Sequence, residues 1–101
     1  MTFDLSPVIL NYDGSPIMQG TIPEDKPMTY KDLIVGALNQ VDATTPAEEK
    51  SRRYFLTVKC YEHTSAVDLT PEDIAFILPC IRKNYFPIAV GRAEELFDPK
   101  N

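Results

Sequence analysis

The 101-residue sequence has few of the residues that build metal or nucleophilic sites: one histidine, two cysteines and no Cys-x-x-Cys pair. A structural zinc site needs four ligands at close, characteristic spacings. Cys60, Glu62 and His63 lie close together, but three candidate ligands without a fourth favour ordinary core or loop residues. A Cys60–His63 nucleophilic pair would also need an oxyanion site, and a helix interior has no free amides to form one. We therefore predict neither a metal site nor catalytic residues.

Long apolar runs are also missing, since no stretch approaches the roughly 18–20 apolar residues of a membrane span. The segment Met1–Asp4 lacks the basic start and apolar run of a signal peptide, which argues against export. No Gly-rich loop leads into a helix and a lysine, so neither a phosphate cradle nor a cofactor is expected. Fifteen acidic against ten basic side chains give a net charge of −5, which disfavours nucleic-acid binding through the phosphate backbone.

The composition is that of an ordinary globular protein, with 44% hydrophobic and 25% charged residues. A chain this short buries about two-thirds of its unfolded surface, enough for one modest core. No composition shift or fixed-period repeat marks a second unit, so residues 1–101 are expected to form one domain. Residues 1–49 carry eight acids and two bases. Solvated loops and acids at helix starts account for most of this charge asymmetry. The alternative interpretation is that the acidic half of the chain binds a basic partner.

The N-terminal part predicts a β-hairpin over about residues 7–20. A β-rich run over 8–12 ends at Asp13-Gly14, and residues 15–18 form a second run. Asp-Gly between two such runs favours a type I′ turn, whose two central residues have positive φ. Pro16 lacks an amide donor, so the second strand is expected to be short or at an edge.

Three threonines, Thr29, Thr45 and Thr70, each precede a helix start and are followed three residues later by an acid. This spacing is typical of a capping box, and the proline after Thr45 and Thr70 suits the first helical turn. The first helix carries an apolar stripe that ends near Val41. Gly36 inside that stripe indicates a close crossing by another element, because glycine otherwise weakens a helix by about 1 kcal/mol.

The second helix is predicted over about residues 46–61. Its inward residues are expected to be Phe55, Val58 and either Tyr54 or Tyr61. Its charged residues are expected to lie outside: Glu49, Lys50, Arg52, Arg53 and Lys59.

The third helix has the best apolar face in the chain, formed by Ile74, Ile77, Leu78 and Ile81 at helical spacing. Pro79 interrupts it, so the helix either kinks there or ends near 76–78 and restarts. We favour a kink, because Ile81 continues the stripe. A last short helix follows residues 86–87 and extends to about residue 97. The expected fold is α+β, mainly α: an N-terminal β-hairpin followed by three to four short helices, the helical part covering about 29–97.

The densest basic patch defines the candidate partner-binding residues Lys50, Arg52, Arg53 and Tyr54. Arginine beside an aromatic residue can serve protein or nucleic-acid partners. The structural alternative is pairing across one helical turn, Glu48 with Arg52 and Glu49 with Arg53.

Four segments, residues 32–38, 47–54, 67–75 and 85–93, resemble small, mostly uncharacterised proteins encoded by tailed bacteriophages. Together they cover most of residues 29–97. The resemblance implies a phage gene product in the host bacterial cytoplasm, with reduced cysteines and no assigned activity.

The expected function is therefore that of a non-catalytic protein-binding module acting on a host or phage protein. One alternative is a virion or assembly component that forms a symmetric oligomer. The other is a nucleic-acid-associated replication accessory protein, working through Arg52, Arg53, Lys59, Arg82 and Lys83.

Self-association as a homodimer is also predicted. Five residues suggest more apolar surface than one small core covers: Tyr12, Ile17, Met18, Tyr85 and Phe86.

Overall fold

The computed structural model describes residues 2–18, 26–62 and 66–98. Its elements, in chain order, are β1 (Thr2–Asp4), α1 (Tyr30–Leu38), α2 (Ala47–Glu62), β2 (Ala66–Asp68), α3 (Pro71–Asn84) and α4 (Pro87–Phe97). The predicted α+β, mainly α fold is confirmed. None of the helices formed by the described residues has the length and apolar character that crossing a bilayer requires.

The N-terminal hairpin is confirmed over the described part of residues 7–20. The Ile17 amide donates to the Ile9 carbonyl at 2.9 Å, and the Asn11 amide donates to the Ser15 carbonyl at 2.7 Å. Gly14 has a φ of +87°, whereas no other described residue has a positive φ. The predicted type I′ turn is therefore wrong. The loop has three residues, and glycine in the left-handed region closes it, as is common for loops of this length.

Residues 26–29 lie beside the hairpin and form backbone hydrogen bonds with both of its strands. The Met28 amide donates to the Ile17 carbonyl at 2.7 Å, and the Ile9 amide donates to the Met28 carbonyl at 2.8 Å. Arg92 of α4 also binds the hairpin: its guanidinium donates to the carbonyls of Leu10 at 3.0 Å and Asn11 at 3.2 Å.

The regular two-stranded sheet pairs β1 with β2 in antiparallel register, with Phe3 opposite Val67. Both of these central side chains are buried, while their strand neighbours are exposed. The Phe3 ring meets the Phe97 ring edge to face, with centroids 5.1 Å apart. This sheet was not predicted, because strands of three residues are too short to show a recognisable alternation of apolar and polar residues in the sequence.

Two of the three predicted helix caps are confirmed. The Asp32 amide donates to the Thr29 hydroxyl at 3.2 Å, and the Thr29 amide donates back to the Asp32 carboxylate at 3.1 Å. Thr70 and Asp73 repeat this capping box at the start of α3, with distances of 3.1 and 3.0 Å. Both helices therefore begin where their sequence pattern indicates.

The predicted cap at Thr45 is wrong by one residue. The first carbonyl to accept a helical bond in α2 belongs to Pro46, which accepts from the Lys50 amide at 3.0 Å. The Thr45 hydroxyl instead accepts from the Asp42 amide at 3.2 Å, within the loop before the helix. The Thr45 hydroxyl, which was predicted to cap α2, therefore stabilises the loop before the helix instead.

Helix α3 runs through Pro79 without ending, so a stop at residues 76–78 is excluded. Pro79 itself is exposed, whereas Ile77, Cys80 and Ile81 around it are buried. Burial of these side chains on one continuous face offsets the backbone hydrogen bond that proline removes.

The core forms one cluster, in which α1 packs against both α2 and α3, and α4 packs against α3. The apolar stripe of α1 is fully buried and consists of Leu33, Ile34, Ala37 and Leu38. Ile17 of the hairpin is also buried, so it does not contribute to surplus apolar surface.

Gly36 of α1 lies against the ring of Tyr85, as the predicted close crossing requires. A Cβ atom at Gly36 would overlap the Tyr85 hydroxyl oxygen, although it would lie at an ordinary 3.5 Å from the ring carbon Cζ. Burial raises the pKa of the Tyr85 hydroxyl, and the Asp32 carboxylate adds to that effect. A residue with a Cβ atom at position 36 would therefore require the Tyr85 side chain to shift.

Candidate partner-binding surface

Helix α2 turns its aromatic residues toward solvent. Tyr54, Phe55 and Tyr61 are 63%, 68% and 64% exposed, while Leu56 and Cys60 on the opposite side are buried. The prediction that Phe55 and Tyr54 or Tyr61 point inward is therefore wrong. The helix carries two apolar stripes, and periodicity alone does not decide which of them packs on the core.

Hydrogen bonds from Arg53 to α1 explain why the stripe that contains Leu56 and Cys60 packs on the core. Its guanidinium donates to the carbonyls of Ala37 at 3.2 Å and Leu38 at 3.1 Å, at the C-terminal end of α1. Glu49, one turn earlier on α2, lies 3.7 Å from the same guanidinium. These carbonyls lie in the last turn of α1, where the helix dipole makes them attractive to a cation, and the Ala37 carbonyl also accepts from the Gln40 amide at 3.3 Å.

Arg53 was predicted to lie outside, yet its side chain is only 12% exposed. It therefore stabilises the junction of α1 and α2 and does not reach a partner. The predicted Glu49–Arg53 pair is confirmed.

Arg52 and Lys59 both approach Asp73 of α3. The Arg52 guanidinium donates to the Glu72 carbonyl at 3.2 Å and lies 4.0 Å from the Asp73 carboxylate. The Lys59 ammonium lies 3.4 Å from that carboxylate. Arg52 therefore pairs with α3 and not with the predicted Glu48, and the guanidinium also stacks 4.8 Å from the Phe76 ring centroid.

The Asp73 carboxylate is stabilised in its ionised form. Burial raises its pKa, but hydrogen bonds from Thr70 and the nearby Lys59 ammonium outweigh burial, and the net effect is a lowered pKa. The charges of Arg52 and Lys59 are thus partly compensated inside the fold.

We call the solvent-facing side of α2 the outward face. It comprises Ala47, Ser51, Tyr54, Phe55, Val58 and Tyr61. All of these residues are exposed except the half-buried Val58. The rings of Tyr54 and Phe55 contact each other edge to face, with centroids 5.4 Å apart. The Lys31 ammonium lies 6.0 Å from the Tyr61 ring centroid, and the exposed Lys50 lies at the edge of the face.

Of the four predicted partner-binding residues, the structure thus places Lys50 and Tyr54 at the outward face. Arg52 and Arg53 lie toward α3 and α1. Phe55 and Tyr61 join the surface instead. The 4-3-4-3 spacing of Ala47, Ser51, Tyr54, Val58 and Tyr61 was the sequence signal that could have revealed this second stripe.

The remaining basic residues do not gather at this surface. Arg82 of α3 pairs with Glu94 of α4 at 2.8 Å. Lys83 lines a separate groove of about 300 Å³, together with Asp42, Glu49 and Arg53. Of the five residues assigned to nucleic-acid binding, four thus lie within 4.0 Å of a carboxylate: Arg52, Arg53, Lys59 and Arg82.

Cys60 and Cys80 are buried free thiols. Burial raises the pKa of both thiols, which keeps them protonated and unreactive at neutral pH. His63 lies outside the described residues. Within the described residues, no group of three or more potential ligands is placed to hold a metal ion.

Comparisons with protein-family models, curated proteins and solved structures give no match. A function for this chain therefore has to be argued from its own surface.

Proposed function

We propose that this chain is a small, phage-encoded, non-catalytic protein-binding module that acts on a host or phage protein in the host bacterial cytoplasm. The outward face of α2 is its binding surface. The observation that carries this proposal is the exposure of Tyr54, Phe55 and Tyr61, each above 60%, on one side of a single helix. The phage context comes from the resemblance of residues 29–97 to small phage proteins.

The size of the aromatic patch supports a binding role. A buried aromatic side chain covers roughly 150–250 Å², so three of them at about two-thirds exposure offer roughly 300–500 Å². That is the size of the largest apolar patch on a typical monomer, which is often functional. Tyrosine is also among the residues that supply most of the binding energy at protein interfaces.

The charges around the patch favour a protein partner over a nucleic acid. Aromatic rings that stack on bases usually lie in a strongly basic groove. Here Lys50 of α2 and Lys31 of α1 are matched in number by two acids of α2, Glu48 and Glu62, and Asp73 compensates Arg52 and Lys59. The surface is therefore aromatic and close to neutral, on a protein that is acidic as a whole.

An affinity capture with matched variants tests the proposal. Tagged wild-type protein, the double variant Tyr54→Ser/Phe55→Ser and the control Tyr12→Ser are each incubated with bacterial lysate that contains untagged copies of this chain. Tyr12 is a suitable control, because it is an aromatic residue 83% exposed on the hairpin loop. Retained proteins are identified and quantified by mass spectrometry.

We expect wild type and Tyr12→Ser to retain the same protein in near-stoichiometric amounts and the double variant to lose it. Retention of nothing at such levels by wild type would refute the proposal. Equal retention by all three proteins would show that the outward face is not the binding surface.

A further inference from the structure

We propose that the protein bound by the outward face is a second copy of this chain, with the two α2 helices packed antiparallel about Tyr54. This inference rests on the proposed function, because it names the partner of the same surface. Two properties of the outward face support it, the spacing of its residues and the order of their sizes, and one charge pair beside the face is compatible with it.

The spacing indicates that the partner is a helix. Ala47, Ser51, Tyr54, Val58 and Tyr61 follow one another at intervals of four, three, four and three residues. This is the spacing of the seam positions in coiled coils, which keeps one side of a helix facing another helix along its length. The seam from Ala47 to Tyr61 covers fourteen residue steps, so it extends over about 21 Å.

The order of residue sizes indicates that the partner helix runs in the opposite direction and carries the same sequence. Small residues, Ala47 and Ser51, precede Tyr54, and larger ones, Val58 and Tyr61, follow it. An antiparallel pair centred on Tyr54 places Tyr61 of one copy against Ala47 of the other, and Val58 against Ser51. A parallel pair would set tyrosine against tyrosine at two levels and alanine against alanine at another, which leaves gaps that close packing disfavours.

One charge pair beside the outward face is compatible with this arrangement. Glu48 and Lys59 are eleven residues apart, about three helical turns, so they lie on the same side of the helix, which also carries Glu62. In an antiparallel two-fold pair the same sides of both helices meet, so Glu48 of each copy lies close to both Lys59 and Glu62 of the other. The Lys59 ammonium has three donors and is one-third exposed, so it can serve both Asp73 and the Glu48 carboxylate of the other copy.

The area available predicts a weak dimer. The three aromatic residues supply roughly 300–500 Å² per copy, against about 800 Å² per partner in a standard interface. The remaining outward-face residues and the charged residues beside the face must supply the rest. We therefore expect a two-fold dimer with a dissociation constant in the micromolar range.

Sedimentation equilibrium from low to high micromolar concentration tests whether the dimer exists. Wild type and Tyr12→Lys should dimerise alike. Tyr54→Lys places two like charges at the two-fold axis and should weaken the dimer by about tenfold or more, with its circular dichroism spectrum unchanged. A wild type that stays monomeric at high micromolar concentration overturns the inference, as does equal dimerisation of all three proteins.

Cysteine cross-linking tests the orientation, and the buried native thiols give little background. In the antiparallel pair, the two positions 47 are separated by about 21 Å along the helices, from a rise of 1.5 Å per residue. Ala47→Cys should therefore not cross-link to itself, but should cross-link to Tyr61→Cys when the two variants are mixed. Self-cross-linking of Ala47→Cys would indicate a parallel pair and overturn the inference.

The affinity capture distinguishes an error in the proposed dimer from an error in the proposed function. If the chain is monomeric while the outward face still retains a different protein, only the identity of the partner is wrong. If wild type retains neither its own copy nor another protein, both proposals fail.

Discussion

Replacing Gly36 by alanine sets two effects of similar size against each other. Alanine stabilises a helix interior by about 1 kcal/mol relative to glycine. However, the added Cβ would overlap the Tyr85 hydroxyl oxygen, and such overpacking typically costs about 1–3 kcal/mol. We expect Gly36→Ala to lower the free energy of unfolding by up to about 2 kcal/mol, measured by urea denaturation.

A double-mutant cycle isolates the cause. Tyr85→Phe removes the overlapping oxygen and leaves the Cβ at an ordinary 3.5 Å from the ring carbon. On the Tyr85→Phe background, Gly36→Ala should therefore stabilise the protein by up to about 1 kcal/mol, which gives a coupling free energy of about 1–3 kcal/mol.

Gly91 provides the control, because a Cβ atom there meets no other atom within 4 Å. Gly91→Ala should stabilise α4 by about 0.5–1 kcal/mol in either background. If Gly36→Ala stabilised the wild type as much as it stabilised the Tyr85→Phe variant, the argument that Tyr85 requires glycine at this position would be refuted.

Three further predictions concern the helix ends. Thr70→Ala should lower the free energy of unfolding by about 0.5–2 kcal/mol. Thr45→Ala removes no helix cap and should lower it clearly less. Equal shifts in the urea midpoint would contradict this prediction. Arg53→Met keeps an apolar stem but removes the guanidinium donor from the Leu38 and Ala37 carbonyls, of which the Ala37 carbonyl keeps the Gln40 amide, and should lower the free energy of unfolding by about 1–3 kcal/mol. An unchanged midpoint would show that the bonds to Ala37 and Leu38 contribute nothing. The lowered pKa of Asp73 stabilises the fold above the carboxyl's unfolded pKa of about 3.8, and this stabilisation is lost as the pH falls through the folded value. Asp73→Asn should therefore lose less stability than wild type between pH 5 and pH 2, and parallel losses would contradict the assignment.

Local signals predicted the parts of the fold that depend on local chemistry. The capping boxes at Thr29 and Thr70 need only residues three apart, and both formed where the sequence indicated. The inward face of α2 could not be predicted in this way, because its choice depends on Arg53 reaching carbonyls at the end of another helix. Of the residues in the candidate surface, the sequence patterns had singled out Lys50 and Tyr54 for partner binding, whereas they placed Phe55, and either Tyr54 or Tyr61, in the core.

The attachment of the hairpin to α4 has a consequence for the order in which the chain folds. Arg92 contacts the Leu10 carbonyl across 82 positions of sequence, and Phe3 contacts Phe97 at the C-terminal end of the same helix. Contacts between such distant residues form late, because the chain between them must first be closed into a loop. During synthesis, the N-terminal segment is made first but acquires these partners last. We therefore expect a ribosome-bound chain that stops before residue 87 to leave its first eighteen residues open to protease, and release of the full chain to protect them.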